Sequence, residues 1–198
     1  TITSCSAGRL HEFAVSLQSN KGETFFAPAA TRKINFKPFC IEEEAEDRGW
    51  KLFSKLFFVK TNIAVLQLKI QSGINKGTVN PEFLLRACCG RNTAHPYPHL
   101  DGRNRYVQQG EGLLLTTKHR IPGQALHTFF LPASGESTNQ GKLSGPSVML
   151  APGEELTWSV IVSFSADCQK MAAEKAFEVR EKLTLLAEKA KRRWDSFE

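Results

Sequence analysis

The sequence lacks the features that mark membrane and exported proteins. It has no run of about 18 apolar residues, which excludes a transmembrane helix. Its first residues, Thr1–Cys5, show no basic start followed by an apolar core, so no signal peptide is visible, although the chain starts without Met and a signal removed upstream stays open. Internal repeats and low-complexity tracts are also missing. We therefore predict a globular, cytoplasmic chain.

Motifs for catalysis and metal binding are also missing. There is no G-x-S-x-G elbow, no P-loop and no C-x-x-C pair. The short run Gly110–Gly112 is explained by a bulge in a strand. The five cysteines are an odd number, and adjacent Cys88 and Cys89 would point to opposite faces of a strand. The sequence predicts free thiols in a reducing compartment, with no catalytic residue, no metal ligand and no cofactor.

Charge is low and spread along the chain. The net charge is +6, and the only dense basic run is Lys189–Arg193. Nucleic-acid binding would need a basic stripe with aromatic platforms, so neither nucleic acid nor membrane is a predicted partner. The acidic residues cluster between Glu42 and Asp47. We predict a solvated loop from Glu42 to Gly49.

What is present is a series of short apolar segments with a period of two. The segment Leu156–Phe164 alternates cleanly, which predicts a strand with one apolar face and places Trp158 in the core. For Trp50, both a core position and an exposed position that stacks on a sugar stay open. Eight to ten strands with short turns favour an antiparallel β-sandwich, with a closed barrel as the alternative. The predicted strands are Arg9–Leu17, Thr24–Phe26, Lys33–Ile41 (edge or bulge at Pro38), Lys51–Lys60, Ile63–Gly73, Phe83–Cys89, Tyr106–Thr117, Ala125–Leu131, Ser147–Leu150 and Leu156–Phe164.

The C-terminal segment has a helical period instead. From Cys168 to Glu198 there is no Gly or Pro, and one long helix is predicted, with Asp167 as its N-cap. We divide the chain into a sandwich over 1–166 and a linker helix over 167–198. The apolar stripe is longer than one sandwich face needs and ends without a C-cap, so we expect it to lead to a missing domain. The stripe consists of Ala172, Ala176, Val179, Leu183, Leu186, Ala190, Trp194 and Phe197.

The order of these last elements resembles a known family. The end of one N-terminal domain is similar in the order of its elements. The elements here are the turn Ala151–Glu155, the strand Leu156–Phe164, the polar break Ser165–Asp167 and a helix closing on Lys191–Trp194. That domain is the β-sandwich ("supersandwich") domain of glycoside hydrolases with an (α/α)6 barrel, of glycogen-debranching, glucosidase and trehalase-like types. The resemblance implies that the catalytic acids lie in a downstream barrel. No catalytic residue is carried over to this chain.

A polar stretch between Gly90 and Arg105 is the candidate substrate contact. It carries Tyr97, Asp101, Arg103 and Arg105, which could stack on a sugar and hydrogen-bond to it at the mouth of a neighbouring barrel. An ordinary surface loop stiffened by prolines explains the same residues.

Three functions are therefore open. The first is a non-catalytic sandwich domain of a carbohydrate-processing enzyme, with the downstream barrel as its partner and an oligosaccharide as a further ligand. The second is a free-standing carbohydrate-binding module. The third is an adaptor that uses its helix for a partner or for self-association as a homo-oligomer. In the first and third, Leu186, Trp194 and Phe197 are the predicted docking residues.

Overall fold

The computed structural model describes residues 2–4, 8–18, 31–37, 40–74, 76–85, 100–119, 125–138, 142–166 and 168–195. Within these ranges the chain forms fourteen strands and two helices. The strands are β1 (Ile2–Ser4), β2 (Gly8–Gln18), β3 (Thr31–Lys37), β4 (Cys40–Asp47), β5 (Trp50–Lys60), β6 (Ile63–Ser72), β7 (Gly77–Leu85), β8 (Leu100–Gln109), β9 (Gly112–His119), β10 (Ala125–Pro132), β11 (Glu136–Thr138), β12 (Lys142–Ser144), β13 (Val148–Leu150) and β14 (Glu155–Ser165). The helices are α1 (Gln169–Glu181) and α2 (Leu183–Asp195).

The strands form two antiparallel sheets, which confirms the predicted sandwich. The larger sheet has eight strands in the order β3-β4-β5-β6-β14-β10-β9-β8. The smaller has the order β1-β2-β7-β12-β11, and β13 also pairs with β7. The helices follow β14, a central strand of the larger sheet, so the C-terminal segment starts from the middle of the sandwich.

Two-residue turns connect three of the hairpins in the larger sheet, and two of these turns contain residues with positive φ. Arg48 and Gly49, between β4 and β5, have φ of 48° and 80°, as a type I′ turn requires. Gly110, between β8 and β9, has φ of 60° and stands first in its turn. The predicted bulge at Gly110–Gly112 is therefore wrong, because the pairing of Gln109 with Gly112 makes this glycine pair the end of a hairpin.

The core lies between the two sheets. Trp50 and Trp158 are both buried there, at 3% and 2% exposure, so the predicted core position of Trp158 is confirmed and Trp50 is not an exposed platform. The indole N–H of Trp158 donates a hydrogen bond to the carbonyl of Ser134 at 2.8 Å, which satisfies its one buried polar group. Phe83 and Phe130 pack ring against ring at 5.7 Å between centroids.

The predicted strands hold best where residues alternate, and the predicted acidic loop is wrong. β5, β6, β10 and β14 match their predicted ranges within two residues. The acidic loop is instead strand β4, because each of its glutamates pairs across to neighbouring strands. Strands also form where none is predicted, because β7 begins at Gly77 and not at the predicted Phe83, and the short strands β11 and β12 lie between two predicted strands. Of the remaining predictions, Thr24–Phe26 and Cys88–Cys89 lie outside the described residues.

The predicted single helix is two helices. The chain leaves the helical conformation at Lys182, with φ −117° and ψ 18°. α1 packs on β9, β10 and β14, and after the break α2 lies over β5. The first helix begins after Cys168, whose backbone N–H donates to the Ser165 hydroxyl at 3.3 Å, while the predicted N-cap Asp167 lies outside the described residues. Neither helix is long and apolar enough to cross a membrane.

Candidate functional site on the outer sheet face

The outer face of the eight-stranded sheet, turned away from the smaller sheet, is divided into two halves. Alternate residues of a strand share a face, and directly paired residues of neighbouring strands share it too. Leu52 and Leu66 point into the core between the sheets, so their neighbours in sequence point outward. Rows of outward residues run across the sheet, and they change from apolar to polar between the row of Phe57 and the row of Lys55.

The first half, here called the helix-covered half, is a second core. Phe129, buried and tilted against Phe177 of α1 at 5.9 Å between centroids, lies at its centre. Small side chains at Ala172 and Ala176 are fully buried and let α1 approach the strands closely. The outward strand residues of this half are Cys40, Phe57, Ile63, Val65, Leu114, Phe129, Leu131 and Ile161.

Ion pairs fix α1 at both sides of this half. Lys60 on β5 contacts Glu178 at 3.1 Å, and this hydrogen bond lowers the pKa of the Glu178 carboxyl. Arg180 pairs with Glu111 in the turn between β8 and β9, and its guanidinium lies 5.0 Å from the ring centre of Phe177. α1 is therefore part of the sandwich and not a free connector.

The second half includes nine outward side chains on β4, β5 and β6 in three rows of three, which we call the polar array. Phe53 is at the centre, directly paired with Glu44 on β4 and Lys69 on β6. The other members surround this ring on all sides. The three rows are Glu42, Lys55, Gln67; then Glu44, Phe53, Lys69; then Glu46, Lys51, Gln71.

The polar array is open to solvent and mixed in charge. Around the Phe53 ring stand three carboxylates, three ammonium groups and two amides, and the outward neighbours Lys33 and Lys37 on β3 and Glu155 on β14 add one further positive charge. None of the nine side chains is buried, and Phe53 is half-buried. With strands about 4.8 Å apart and about 3.4 Å per residue along them, the array measures about 10 by 14 Å.

Salt bridges hold part of the array in place. Glu42 contacts Lys37 at 2.7 Å and Lys55 at 3.3 Å. The hydrogen bond from Lys37 lowers the pKa of the Glu42 carboxyl, and Lys55 adds to this against the opposing effect of burial. Lys69 contacts Glu155 on β14 at 2.5 Å. The side chains on two sides of Phe53 therefore have fixed partners.

The surface is concave at the array. A groove of about 320 Å³ is lined mainly by Glu42, Glu44, Phe53, Lys55, Gln67 and Lys69. A second groove of about 220 Å³ runs between the sheet and α2, lined by apolar Phe57, Phe58, Ala187 and Ala190 among others. Lys55 and Gln67 line both grooves, so the two hollows lie side by side.

The predicted substrate-binding residues lie elsewhere. Tyr97 is outside the described residues, and the backbone of Asp101, Arg103 and Arg105 belongs to β8, a strand at the edge of the sheet, where a loop is predicted. Arg105 pairs with Thr116, and the register shifts between Leu100 and Asn104. β8 is five strands from β5, about 24 Å along the sheet, so these backbone positions lie far from Phe53.

The predicted docking residues are only partly described. Leu186 is half-buried and packs against the helix-covered half, so part of its surface is used within this chain. Trp194 belongs to α2, and Phe197 lies outside the described residues. Their docking role stays a prediction.

One pair resembles catalytic machinery without completing it. The Thr116 hydroxyl lies 3.2 Å from Nδ1 of His127, across β9 and β10. Burial lowers the pKa of the His127 imidazole, which favours the neutral ring. Among the described contacts no carboxylate orients this imidazole, as the third member of a catalytic triad would. The pair satisfies two polar groups on the sheet.

Sequence reasoning missed the polar array, although a signal for it exists. Glu42, Glu44 and Glu46 have the spacing of one strand face, and so do Lys51, Phe53 and Lys55. The hairpin turn at Arg48–Gly49 fixes the register between them. Interpreting the acidic run as a loop removed this pattern.

Comparisons with known proteins identify the fold. No protein-family model matches the sequence, and no curated protein matches it. Among solved structures, one assigned as a kojibiose phosphorylase from the human microbiome matches 93% of this chain, with a TM-score of 0.66 and 14% identity. A polysaccharide lyase matches 87%, with a TM-score of 0.54 and 12% identity. This chain spans 27% of the first protein and 28% of the second. At this identity the likeness establishes the fold alone.

Proposed function

We propose that this chain is the non-catalytic β-sandwich domain of a carbohydrate-processing enzyme of the glycoside hydrolase or phosphorylase kind. The observation that carries the proposal is the match of 93% of the chain to about a quarter of a kojibiose phosphorylase. A polysaccharide lyase has a similar domain, so both structural neighbours are named for reactions on carbohydrates. The narrower assignment to a glycogen-debranching type depends on the sequence resemblance of Val148–Glu198 alone.

The helices support the same proposal. The kojibiose phosphorylase match leaves out only 7% of this chain (100% less 93%), about 14 residues, so it extends into the helical segment. α1 is anchored on the sheet by Phe177, Glu178 and Arg180, and α2 continues from it with Leu185 exposed. A rigid helix pair of this kind would hold an (α/α)6 catalytic domain at a fixed position against the sandwich. In this arrangement the β8 residues Asp101, Arg103 and Arg105 would contribute to the substrate cleft.

The proposal is tested on the gene and on the protein it encodes. We expect the gene to continue beyond Glu198 into repeated helical hairpins that carry well-separated acidic residues. The protein with that extension should release sugar from kojibiose or other oligosaccharides, with or without inorganic phosphate, and residues 1–198 alone should not. A gene that ended at Glu198, or continued into an unrelated fold, would overturn the proposal.

A further inference from the structure

We propose that the polar array is a binding site for a neutral oligosaccharide. The inference deepens the proposed function and rests on it for one step, the choice of a sugar over other neutral polar ligands. The remaining steps depend on the side chains around Phe53.

The first step is the chemistry of the array. A pyranose ring has one face of C–H groups and a periphery of hydroxyls, which are both donors and acceptors. Phe53 offers a flat apolar surface at the centre. Its eight neighbours offer carboxylate acceptors on β4, ammonium donors on β5 and β6, and amides with both donors and acceptors on β6. The array therefore matches a pyranose, because the Phe53 ring can cover the C–H face of the sugar and the surrounding polar side chains can hydrogen-bond to its hydroxyls.

The second step excludes two other classes of ligand. An acidic polysaccharide or a nucleic acid would need a strongly positive surface, and the five Lys of the array and its outward neighbours are offset by four Glu. A protein partner would favour a core depleted of charged residues, whereas six of the nine side chains are charged. The polar array fits a small, uncharged, polar ligand better than either.

The third step concerns the shape of the groove and the fixed position of its side chains. The groove of about 320 Å³ beside Phe53 is at the small end of the range for ligand sites. The second groove, between α2 and the sheet, lies next to it and offers an extended ligand a further surface beyond Lys55 and Gln67. The salt bridges of Glu42 with Lys37 and Lys55 fix one wall before any ligand binds, which reduces the entropy cost of binding.

The experiment titrates the ¹⁵N-labelled chain with kojibiose, maltotetraose and cellotetraose, and with tetragalacturonate as an acidic probe, each to millimolar concentration. At least one neutral probe should shift the amide signals of β4, β5 and β6 around Phe53. Phe53→Ala should weaken that binding about tenfold or more, as truncation of a central aromatic contact does. Phe36→Ala is the matched control, because Phe36 is 79% exposed on β3 and faces the other side of the sheet.

A second variant keeps the test valid if Phe53→Ala alters the fold. Lys69→Met removes one donor from the rim and keeps the side-chain length, and it should weaken the same probe. The proposal is overturned if no neutral probe shifts these signals, if tetragalacturonate binds in their place, or if both variants bind like the wild type. These results leave the proposed function intact, because that function is decided by the activity of the extended protein. Loss of the proposed function with binding retained would instead indicate a free-standing carbohydrate-binding module.

Discussion

The two halves of the outer sheet face share the same strands but have opposite physical roles. On β5, Phe57 belongs to the helix-covered half and is 7% exposed, and Lys55, two residues earlier, belongs to the polar array. One half is a core closed by α1 and α2, and the other is an open surface of mixed charge. One strand face therefore changes from a buried core to an open polar surface within a single step of two residues.

The position of α2 explains where the boundary falls. α1 buries four small or β-branched residues against the sheet, whereas α2 has only half-buried contacts at Leu183, Leu186 and Ala187. The break at Lys182 carries α2 across β5, to the edge of the polar rows. The boundary between the halves is therefore set by the direction of the second helix.

The largest difference between the halves should appear when the same side chain is truncated in each. Phe129→Ala removes a fully buried ring that packs on Phe177, and it should cost about 3–5 kcal/mol of unfolding free energy. Phe53→Ala removes a half-buried ring from the open half and should cost about 1 kcal/mol. Urea denaturation of both variants measures the two losses. Equal losses would mean that the polar array is part of the core.

A smaller effect, this time a gain in unfolding free energy, is expected at the boundary between the two halves. Ala190 lines the groove of about 220 Å³ between α2 and β5, and Ala190→Leu should fill part of it and raise the unfolding free energy by about 1 kcal/mol. Ala and Leu have similar helix propensities, so the gain would report packing. Lys189→Leu, at an exposed position on the same helix, is the control and should give no gain. Equal unfolding free energies of the two variants, measured by urea denaturation, would show that the larger side chain at position 190 does not improve the packing of α2 on the sheet.

The two halves differ in how far the sequence predicts them, and the difference has a physical cause. The helix-covered half follows from periodicity, because Ala172, Ala176 and Val179 recur at helical spacing and all three are buried. The break at Lys182 leaves no such trace, since the three-and-four spacing continues through it and neither Gly nor Pro marks it. The direction of α2, and with it the boundary, could only come from the structure.

The polar array was less predictable for a different reason. A run of glutamates has low strand propensity and reads as a solvated loop. In the structure this cost is offset by pairing, because Glu42 has Lys55 directly opposite and Lys37 nearby. The array also needs the register of β6 against β5, a contact between segments whose exact alignment no local pattern fixes. A site that three strands build together is visible only after they are paired.

The smallest expected effect concerns the charges that order the open half. The pKa of the Glu42 carboxyl is lowered from 4.5 by Lys37 and Lys55, so this group stabilises the fold at pH above its ordinary pKa. The contribution should be lost as the pH falls below about 4.5 and through the lowered folded value. Glu42→Gln should therefore cost about 0.5 kcal/mol at pH 7, the size of a partly exposed ion pair, and almost nothing at pH 2.

Unfolding free energies of the wild type and Glu42→Gln, measured by urea denaturation at both pH values, check this difference. Glu44→Gln, on the same strand and face, is the matched control for removal of a carboxylate. If Glu42→Gln costs the same at both pH values, the salt bridges do not order the array. The fixed wall inferred for the groove would then need another cause. If the cost disappears only at acid pH, the open half is held by paired charges, in contrast to the packed side chains that hold the helix-covered half.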